Sequence, residues 1–231
     1  DIDAILAEEE LVPCSTLLDF AHLGHLDPDA THDAARISEE NVGDSSGLKK
    51  RKRVMDRLPE GTRIKMPLWA MEKWSLLGFV RPSLPRHFGR RARERLEADP
   101  GSADLRSRNE RFYMSGMLLV ELVERCSNVL AQVSGRSRSG NQNQRRNAHA
   151  AAMSRVVKEA VELRRTLLVT YTGERLRRIF DWTLSSIDDD VTTFTKRLTE
   201  LEIHLFRLGA VAAAAHSAWK THGSRRIAVS E

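Results

Sequence analysis

The sequence predicts a mainly α protein in which a C-terminal four-helix-type domain follows a small β-rich, α+β domain. Three observations predict this class. Apolar residues recur at steps of three and four in the second part of the chain, short alternating segments with prolines occupy the first part, and 41% of the 231 residues are hydrophobic. We expect one domain over residues 1–80, a helical domain over 85–222 and a tail at 223–231.

The first 80 residues combine a short helix with short strands. Residues 1–10 have helical apolar spacing, and LVPCSTLLDF (11–20) predicts one or two short strands interrupted by Pro13. The segment TRIKMPLW (62–69) alternates apolar and polar side chains and predicts an edge strand that runs into a turn. Between them, an Asp-, Ser-, Gly- and Glu-rich stretch followed by a basic run predicts a flexible insertion at about 27–60.

The second part of the chain predicts four helices. The first ends at the Asp-Pro-Gly sequence of residues 99–101, and Ser102 is in position to cap the second. Arginine, serine and asparagine then predominate, which predicts a loop at about 134–147. A third helix is expected from about 148 to 185, with a bend near Gly173.

The fourth helix has an apolar seam, in which large apolar residues recur at alternating steps of three and four. The seam consists of Val191, Phe194, Leu198, Leu201, Leu205, Leu208 and Trp219. Ala212 and Ala215 continue the same spacing. Such a seam requires other helices packed against it at a shallow angle. The pattern alone leaves open whether it faces the core of this chain, a partner, or some of each.

The surplus of positive charge is confined to two segments. The net charge of the chain is +5 and its pI is about 9.5. Residues 48–57 contribute +5 and residues 134–147 contribute +4, so the rest of the chain has a net charge of −4. The first segment contains a five-residue cluster of the nuclear-import kind. Its members are Lys49, Lys50, Arg51, Lys52 and Arg53.

No combination of residues predicts catalysis, and we expect no catalytic residue, bound cofactor or metal. His22, His25 and His32 have no spacing that fits a closed metal site, so a solvated loop is the better interpretation. The acidic run at residues 188–190 fits the start of a helix, where the helix dipole favours carboxylates. No phosphate-binding Gly-rich loop and no nucleophile elbow is found.

The two cysteines and the hydropathy of the chain indicate its cellular environment. Cys14 and Cys126 lie far apart without metal-like spacing, which predicts free thiols in a reducing compartment. No apolar segment approaches the length of a membrane span, so we expect no contact with a membrane.

Six motifs, in order along the chain, resemble the GINS family of eukaryotic replication factors, and within it the branch of the third subunit. They are DIDAILAEEELVPC (1–14), KMPLWA (65–70), ADPGSADL (98–105), RFYMSG (111–116), RLRRIFD (175–181) and RLTELEIHLFRLG with the later tryptophan (197–219). The residues that match the family signatures most directly are Leu68, Trp69, Asp99, Pro100, Phe112, Tyr113, Gly116, Arg177 and Arg178. Residues 27–60 and about 127–158 appear longer than the family pattern.

The resemblance implies a non-enzymatic scaffold subunit of a heterotetramer of four related proteins. It implies three other GINS subunits as partners. It also implies that this assembly joins the minichromosome-maintenance ring and a RecJ-like activator in the replicative helicase, in the nucleus, for initiation and elongation of DNA replication. Contact with DNA is then indirect or weak.

A second hypothesis remains beside this one. The chain could bind nucleic acid directly, using its two basic loops together with the arginine-rich helix. The arginines concerned are Arg90, Arg91, Arg93 and Arg95.

Overall fold

The computed structural model describes residues 2–27, 57–134, 140–185 and 190–223. The helices are α1 (Ile2–Glu8), α2 (Leu68–Leu76), α3 (Arg90–Ala98), α4 (Phe112–Ser134), α5 (Gly140–Thr170), α6 (Leu176–Ser185), α7 (Thr192–Thr195) and α8 (Glu200–Gly223). The strands are β1 (Leu11–Thr16), β2 (Phe20–Ala21), β3 (Arg57–Leu58), β4 (Arg63–Pro67) and β5 (Val80–Pro82). The predicted class, mainly α with a small β part, is confirmed.

The three-stranded sheet is antiparallel, with β1 in the centre between β4 and β5. Cys14 is paired with Ile64 on one side and with Pro82 on the other. Buried side chains alternate along β1, as a strand with one covered face requires, and Val12 and Cys14 are both almost fully buried. Because β4 forms one edge of this sheet, the edge strand predicted from residues 62–69 is confirmed.

Pro13 lies within β1, so it does not interrupt the strand as the sequence predicted. Its carbonyl oxygen accepts hydrogen bonds from the N–H and the hydroxyl of Ser83, just past the end of β5. The nitrogen and the carbonyl oxygen of one strand residue point to the same side of the strand. The nitrogen of Pro13, which lacks a hydrogen, therefore also faces a position where pairing with β5 has ended.

Contacts divide the chain into two compact units. The helical unit comprises Asp1–Ala7, His87–Met117 and Glu162–Glu231, and the sheet unit comprises Glu8–Arg86 and Leu118–Val161. Proximity within one folded chain does not test which segments fold independently. The domain boundaries predicted at residues 80 and 85, the insertion at 27–60 and the tail at 223–231 therefore stay predictions.

The residues after α3 form turns, so Ser102 does not cap a helix and α4 begins only at Phe112. The Asp99 carboxylate accepts hydrogen bonds from the Ser102 N–H, at 3.1 Å, and from its hydroxyl. Asp104 accepts the N–H of Ser107 in the same manner. Side chains of this kind stabilise turns in competition with helix, which explains the later start of α4.

The predicted bend near Gly173 is confirmed. Residues Tyr171–Arg175 form a short π-type segment between α5 and α6, and Gly173 has φ −89° and ψ −120°, outside the helical region. The start of α5 differs from the sequence prediction, because the helix begins at Gly140, within the segment expected to be a loop at about 134–147. Asparagine, glutamine and arginine in this stretch are compatible with helix, and Arg and Gln favour it.

Candidate interaction surface

One apolar core cluster of the helical unit lies under the first half of α8. Its buried members are Ile179, Leu198, Ile203 and Phe206, and the partly buried Trp182, Val191, Phe194 and Leu205 pack against them. The rings of Trp182 and Phe194 are stacked, with centroids 5.1 Å apart, and Phe194 meets Phe206 edge to face at 6.1 Å. This cluster joins α6, α7 and α8 and fixes which side of α8 faces inward.

A capping motif sets the start of α8. Thr199 and Glu202 have the Thr-x-x-Glu spacing in which a glutamate in the first turn reaches back to the residue before the helix. The Thr199 N–H donates to Glu202 Oε2 at 2.9 Å, and the Thr199 hydroxyl donates to the same oxygen at 3.0 Å. The helix therefore begins at Glu200, and the single fourth helix that the seam predicted is divided into α7 and α8.

The same glutamate forms a buried ion pair with Arg175. Arg175 Nε lies 2.5 Å from Glu202 Oε1 and Nη2 lies 2.8 Å from Oε2, and the two side chains are 4% and 0% exposed. Arg175 Nη1 donates to the carbonyl oxygens of Pro100 and Ala103, at 2.7 and 2.8 Å. One guanidinium thus joins the turn after α3 to the first turn of α8.

Burial and pairing act in opposite directions on this cluster. Burial alone would lower the pKa of Arg175, but the hydrogen bonds and the charge of Glu202 outweigh it, and the pKa is raised. Burial raises the pKa of Tyr113, and the nearby charge of Glu202 raises it further. Both shifts favour a charged arginine and a neutral tyrosine, as in a structural ion pair.

Sequence reasoning missed Arg175 and Glu202. Arg175 is part of the RLRRIFD motif, but only Arg177 and Arg178 were selected from it, and both of these side chains are exposed. The Thr-x-x-Glu pattern before an apolar helix was the signal that would have identified Glu202. Nothing in the sequence indicates that a residue 27 positions earlier provides its partner.

Helix α8 is apolar on two opposite sides. Ile203 and Phe206 face the core, whereas Leu201 and Leu208 lie on the other side of the helix at about 100° per residue and are 40% and 57% exposed. We name the exposed residues on this side the outer stripe. It consists of Leu201, Leu208, Ala212, Ala215 and Trp219. At 1.5 Å per residue the stripe is about 27 Å long.

The outer stripe is a continuous surface rather than a set of scattered apolar residues. Isolated exposed apolar side chains are ordinary on a folded protein, but aligned ones indicate an interaction site. Trp219 is 69% exposed, and its ring stacks only on His216 among the contacts within this helix. Helices that are apolar on more than one side are typically buried in globular proteins, so the outer stripe is a candidate interaction surface.

The predicted apolar seam is thus divided by the tertiary structure. Leu198 is buried in the core, while Val191, Phe194 and Leu205 are half-buried against it. Leu201, Leu208 and Trp219 are exposed. Whether a partner covers the exposed members stays a prediction.

The family-signature residues have structural positions of several kinds. Leu68, Phe112 and Tyr113 are buried, whereas Trp69 is 59% exposed. Phe112 lies in a row of rings with Phe88 and Tyr113.

Gly116 and Gly101 mark close approaches within the helical unit. A Cβ on Gly116 would lie 2.7 Å from Leu167 and 3.2 Å from the ring of Phe88. A Cβ on Gly101 would overlap the guanidinium of Arg178, which also pairs with Glu174 at 3.2 Å. Asp99 and Pro100 belong to the turn after α3, where the carbonyl oxygen of Pro100 accepts a hydrogen bond from Arg175.

The arginines of α3 do not form one exposed basic face. Arg93 is buried, and its guanidinium donates to the carbonyl oxygen of Phe88 at 3.0 Å. Arg90 pairs with Glu94 at 2.8 Å, while Arg91 and Arg95 are exposed. The import-signal candidates Lys49, Lys50, Arg51, Lys52 and Arg53 lie outside the described residues, and so does His32.

In the part of the chain that the structure describes, no three or more His, Cys, Asp or Glu side chains come together in a way suited to a metal ion. None of the described helices combines the length and the apolar character needed to cross a membrane.

Comparison with known proteins gives a consistent set of relatives. The chain is 24% identical to the DNA replication complex GINS protein PSF3 of Xenopus laevis over 234 aligned residues, which cover 99% of this chain and 83% of that protein. The comparisons confirm the GINS resemblance. No protein-family model matches the chain.

Fungal proteins of the same name are similar over shorter stretches. The GINS protein psf3 of Neurospora crassa is 27% identical over 54% of this chain and 53% of its own length. That of Schizosaccharomyces pombe is 25% identical over 58% of this chain and 63% of its own length. The similarity to a third GINS subunit thus extends over nearly the whole chain in one relative and over about half of it in the others.

Proposed function

We propose that this chain is a non-enzymatic scaffold subunit of a GINS complex with a role in DNA replication. The outer stripe of α8 supports the proposal most directly, because it is an exposed apolar surface about 27 Å long on a helix whose opposite side is packed along its first half. The similarity to proteins named GINS PSF3 identifies the class of complex.

The proposed partners are three other GINS subunits, in a heterotetramer. This assembly joins the minichromosome-maintenance ring and its RecJ-like activator in the replicative helicase, for initiation and elongation. The ring's own sites perform the unwinding chemistry, and this chain positions other proteins. Burial of the outer stripe contributes to association in the same way that burial of Phe206 contributes to folding, less the entropy lost when two chains associate.

Co-expression tests the proposal. The chain is produced with the other three GINS-type subunits of its organism, and the product is sized by gel filtration with light scattering. We expect a stoichiometric four-chain particle. A chain that elutes apart from the other three as a stable monomer would overturn the proposal.

Capture by the helicase components tests the wider assembly. The four-chain particle is mixed with the minichromosome-maintenance ring and the RecJ-like activator, and co-elution is measured. We expect one complex that contains all of them. A four-chain particle that fails to bind either component would restrict the function to GINS assembly.

The proposed location is the nucleus, with residues 49–53 as the import signal. All five residues are changed to alanine in a fluorescently tagged chain, and its distribution is compared with that of the unchanged chain. We expect loss of nuclear accumulation when the partner subunits are not co-produced. Unchanged accumulation under those conditions would exclude the signal.

Direct nucleic-acid binding is the alternative, and the structure weakens the part of it that depends on α3. Arg93 is buried on Phe88, so it does not contact phosphate, and Arg90 already has Glu94 as a partner. Direct binding predicts an affinity for bare DNA that falls with roughly one unit of log–log slope per neutralised phosphate. An affinity unchanged by Arg91→Ala and Arg95→Ala would exclude a role for α3.

A further inference from the structure

Beyond its first turn, α8 has only basic and imidazole side chains among its ionisable groups. From Ile203 to Thr221 the sequence contains Arg207, Lys220, His204 and His216, and no aspartate or glutamate. The two acids of the first turn both form ion pairs within the helical unit: Glu200 with Arg106 at 3.1 Å, and Glu202 with Arg175. The formally charged side chains of α8 beyond its first turn are therefore all positive.

Basic and imidazole side chains flank the outer stripe on both sides. At about 100° per residue, His204 lies at one edge of the stripe with Arg207 farther round the same flank, and His216 and Lys220 are arranged in the same way on the opposite flank. The stripe itself is uncharged. Arg207 supplies a positive charge on one flank and Lys220 on the other, so the surface that complements the stripe is an apolar strip with a negative charge on each side.

The shape of the stripe indicates that a helix covers it. The backbone groups of α8 are bonded within the helix, so an added β-strand would find no edge to pair with. Ala212 and Ala215 have small side chains, which allow the axis of a second helix to approach closely at the middle of the stripe. Nucleic acid does not fit, because an apolar strip offers nothing to phosphate along its centre.

We propose that a helix of another subunit covers the outer stripe, with large aliphatic side chains opposite Ala212 and Ala215 and acidic side chains along both edges, facing Arg207 and Lys220. This inference rests on the proposed function, and it adds the chemistry by which α8 selects its partner. Opposite charge at the edges of an interface increases the association rate and excludes helices with basic margins.

Charge reversal tests the selection. Arg207→Glu/Lys220→Glu is compared with Arg155→Glu/Lys158→Glu, which makes the same charge change at two exposed positions of α5. Each chain is co-expressed with the three other subunits, and assembly is titrated at about 50 and 300 mM salt. We expect the α8 variant to assemble about tenfold more weakly at low salt and to show less salt dependence, and the α5 variant to behave like the unchanged chain.

The outcomes separate this inference from the proposed function. If the unchanged chain fails to enter a four-chain particle, the proposed function fails. If it enters the particle and the α8 variant assembles equally well with the same salt dependence, the acidic partner helix is excluded while the proposed function stands.

Zero-length cross-linking tests the same contact without a variant. A carbodiimide activates a carboxylate, the Lys220 amine attacks it to form an amide, and the carbodiimide leaves as a urea. Mass spectrometry of the cross-linked four-chain particle then identifies the residue joined to Lys220. We expect an aspartate or glutamate within an amphipathic helix of another subunit. A link confined to this chain, or to a non-helical segment of a partner, would overturn the proposal.

Discussion

Arg175 and Glu202 form a bidentate ion pair inside the helical unit. Arg175 Nε lies 2.5 Å from Glu202 Oε1, and Nη2 lies 2.8 Å from Oε2. The glutamate also accepts the N–H and the hydroxyl of Thr199, and the arginine also donates to two carbonyl oxygens of the turn after α3. Each side-chain nitrogen and oxygen of this pair therefore has at least one hydrogen-bond partner, as burial of charge requires. The pair fixes where α8 begins and hence which residues lie on its outer side.

Arg175→Met is expected to lower the free energy of unfolding by about 3 to 5 kcal/mol, because it leaves the Glu202 carboxylate buried without its partner. Urea unfolding followed by circular dichroism, on the chain alone and within the co-expressed complex, measures the loss. Arg178→Met is the matched control, since the Arg178–Glu174 pair is about half exposed and should change stability by less than about 1 kcal/mol.

The double variant Arg175→Met/Glu202→Leu tests whether the loss comes from the unpaired carboxylate. It removes both charges, so it should be more stable than Arg175→Met alone, apart from the lost cap at Thr199. Equal losses in Arg175→Met and Arg178→Met would show that the buried pair has no special contribution.

Phe206→Ala and Trp219→Ala are expected to have opposite effects, although both change an aromatic residue of α8. Phe206 is buried, so its removal should lower the free energy of unfolding by about 3 to 5 kcal/mol. Trp219 is exposed, so its removal should leave the unfolding of the chain alone nearly unchanged and weaken subunit assembly by about 2 kcal/mol or more. Urea unfolding and titration of the partner subunits give the two values.

Leu77→Ala is the control for assembly. Leu77 is also well exposed, but it follows α2 in the sheet unit and is not part of the outer stripe. Assembly that is weakened equally by Trp219→Ala and Leu77→Ala would show no preference for the stripe.

Both cysteines should react slowly with alkylating reagents in the folded chain. Burial raises the pKa of Cys14 and of Cys126 to about 11. At pH 8 only about one thiol in a thousand is then the reactive thiolate. We expect iodoacetamide to label them slowly in buffer and rapidly in urea, as measured by mass spectrometry.

The same pKa shifts predict a loss of stability at alkaline pH. The folded-state pKa lies above the ordinary thiol value, so the stabilising contribution is complete below pH 9 and is lost as the pH rises toward 11. Cys14→Ala/Cys126→Ala should reduce this loss. An identical pH profile in the double variant would assign the effect to other groups.

Ser102→Ala should raise the pKa of Asp99. Hydrogen bonds from the Ser102 hydroxyl and N–H hold the pKa of Asp99 below its ordinary value, and the charge of Arg178 adds to the effect. Because the folded pKa is depressed, the contribution of this turn is present above the ordinary aspartate pKa and is lost as the pH falls through the depressed value. A carbon-13 NMR titration of the Asp99 carboxyl group measures the pKa directly.

Ser107→Ala is the matched control for this titration, because it removes the hydroxyl that donates to the Asp104 carbonyl oxygen and leaves Asp99 in place. A pKa of Asp99 that is the same in Ser102→Ala and Ser107→Ala would contradict the assignment of the shift to Ser102.

Local pattern was sufficient for several parts of the fold. Apolar steps of three and four identified helices in the second part of the chain, alternation in residues 62–69 identified an edge strand, and Gly173 identified a bend. Each of these depends on neighbours along the sequence. The Asp-Pro-Gly sequence correctly predicted the end of the first of these helices. The sequence did not predict that Ser102 stabilises a turn instead of capping a helix, because this role depends on its hydrogen bonds to Asp99.

The sequence by itself determined the helical class, the small sheet, the apolar seam and the likeness to a third GINS subunit. Only the tertiary structure decided that Leu198 is buried while Leu208 and Trp219 are exposed, and that Arg175 reaches Glu202. The reason is physical. Periodicity shows that a helix has an apolar side, but which side faces the core is fixed by the packing of Ile179 and Phe206 and by an ion pair between residues distant in sequence.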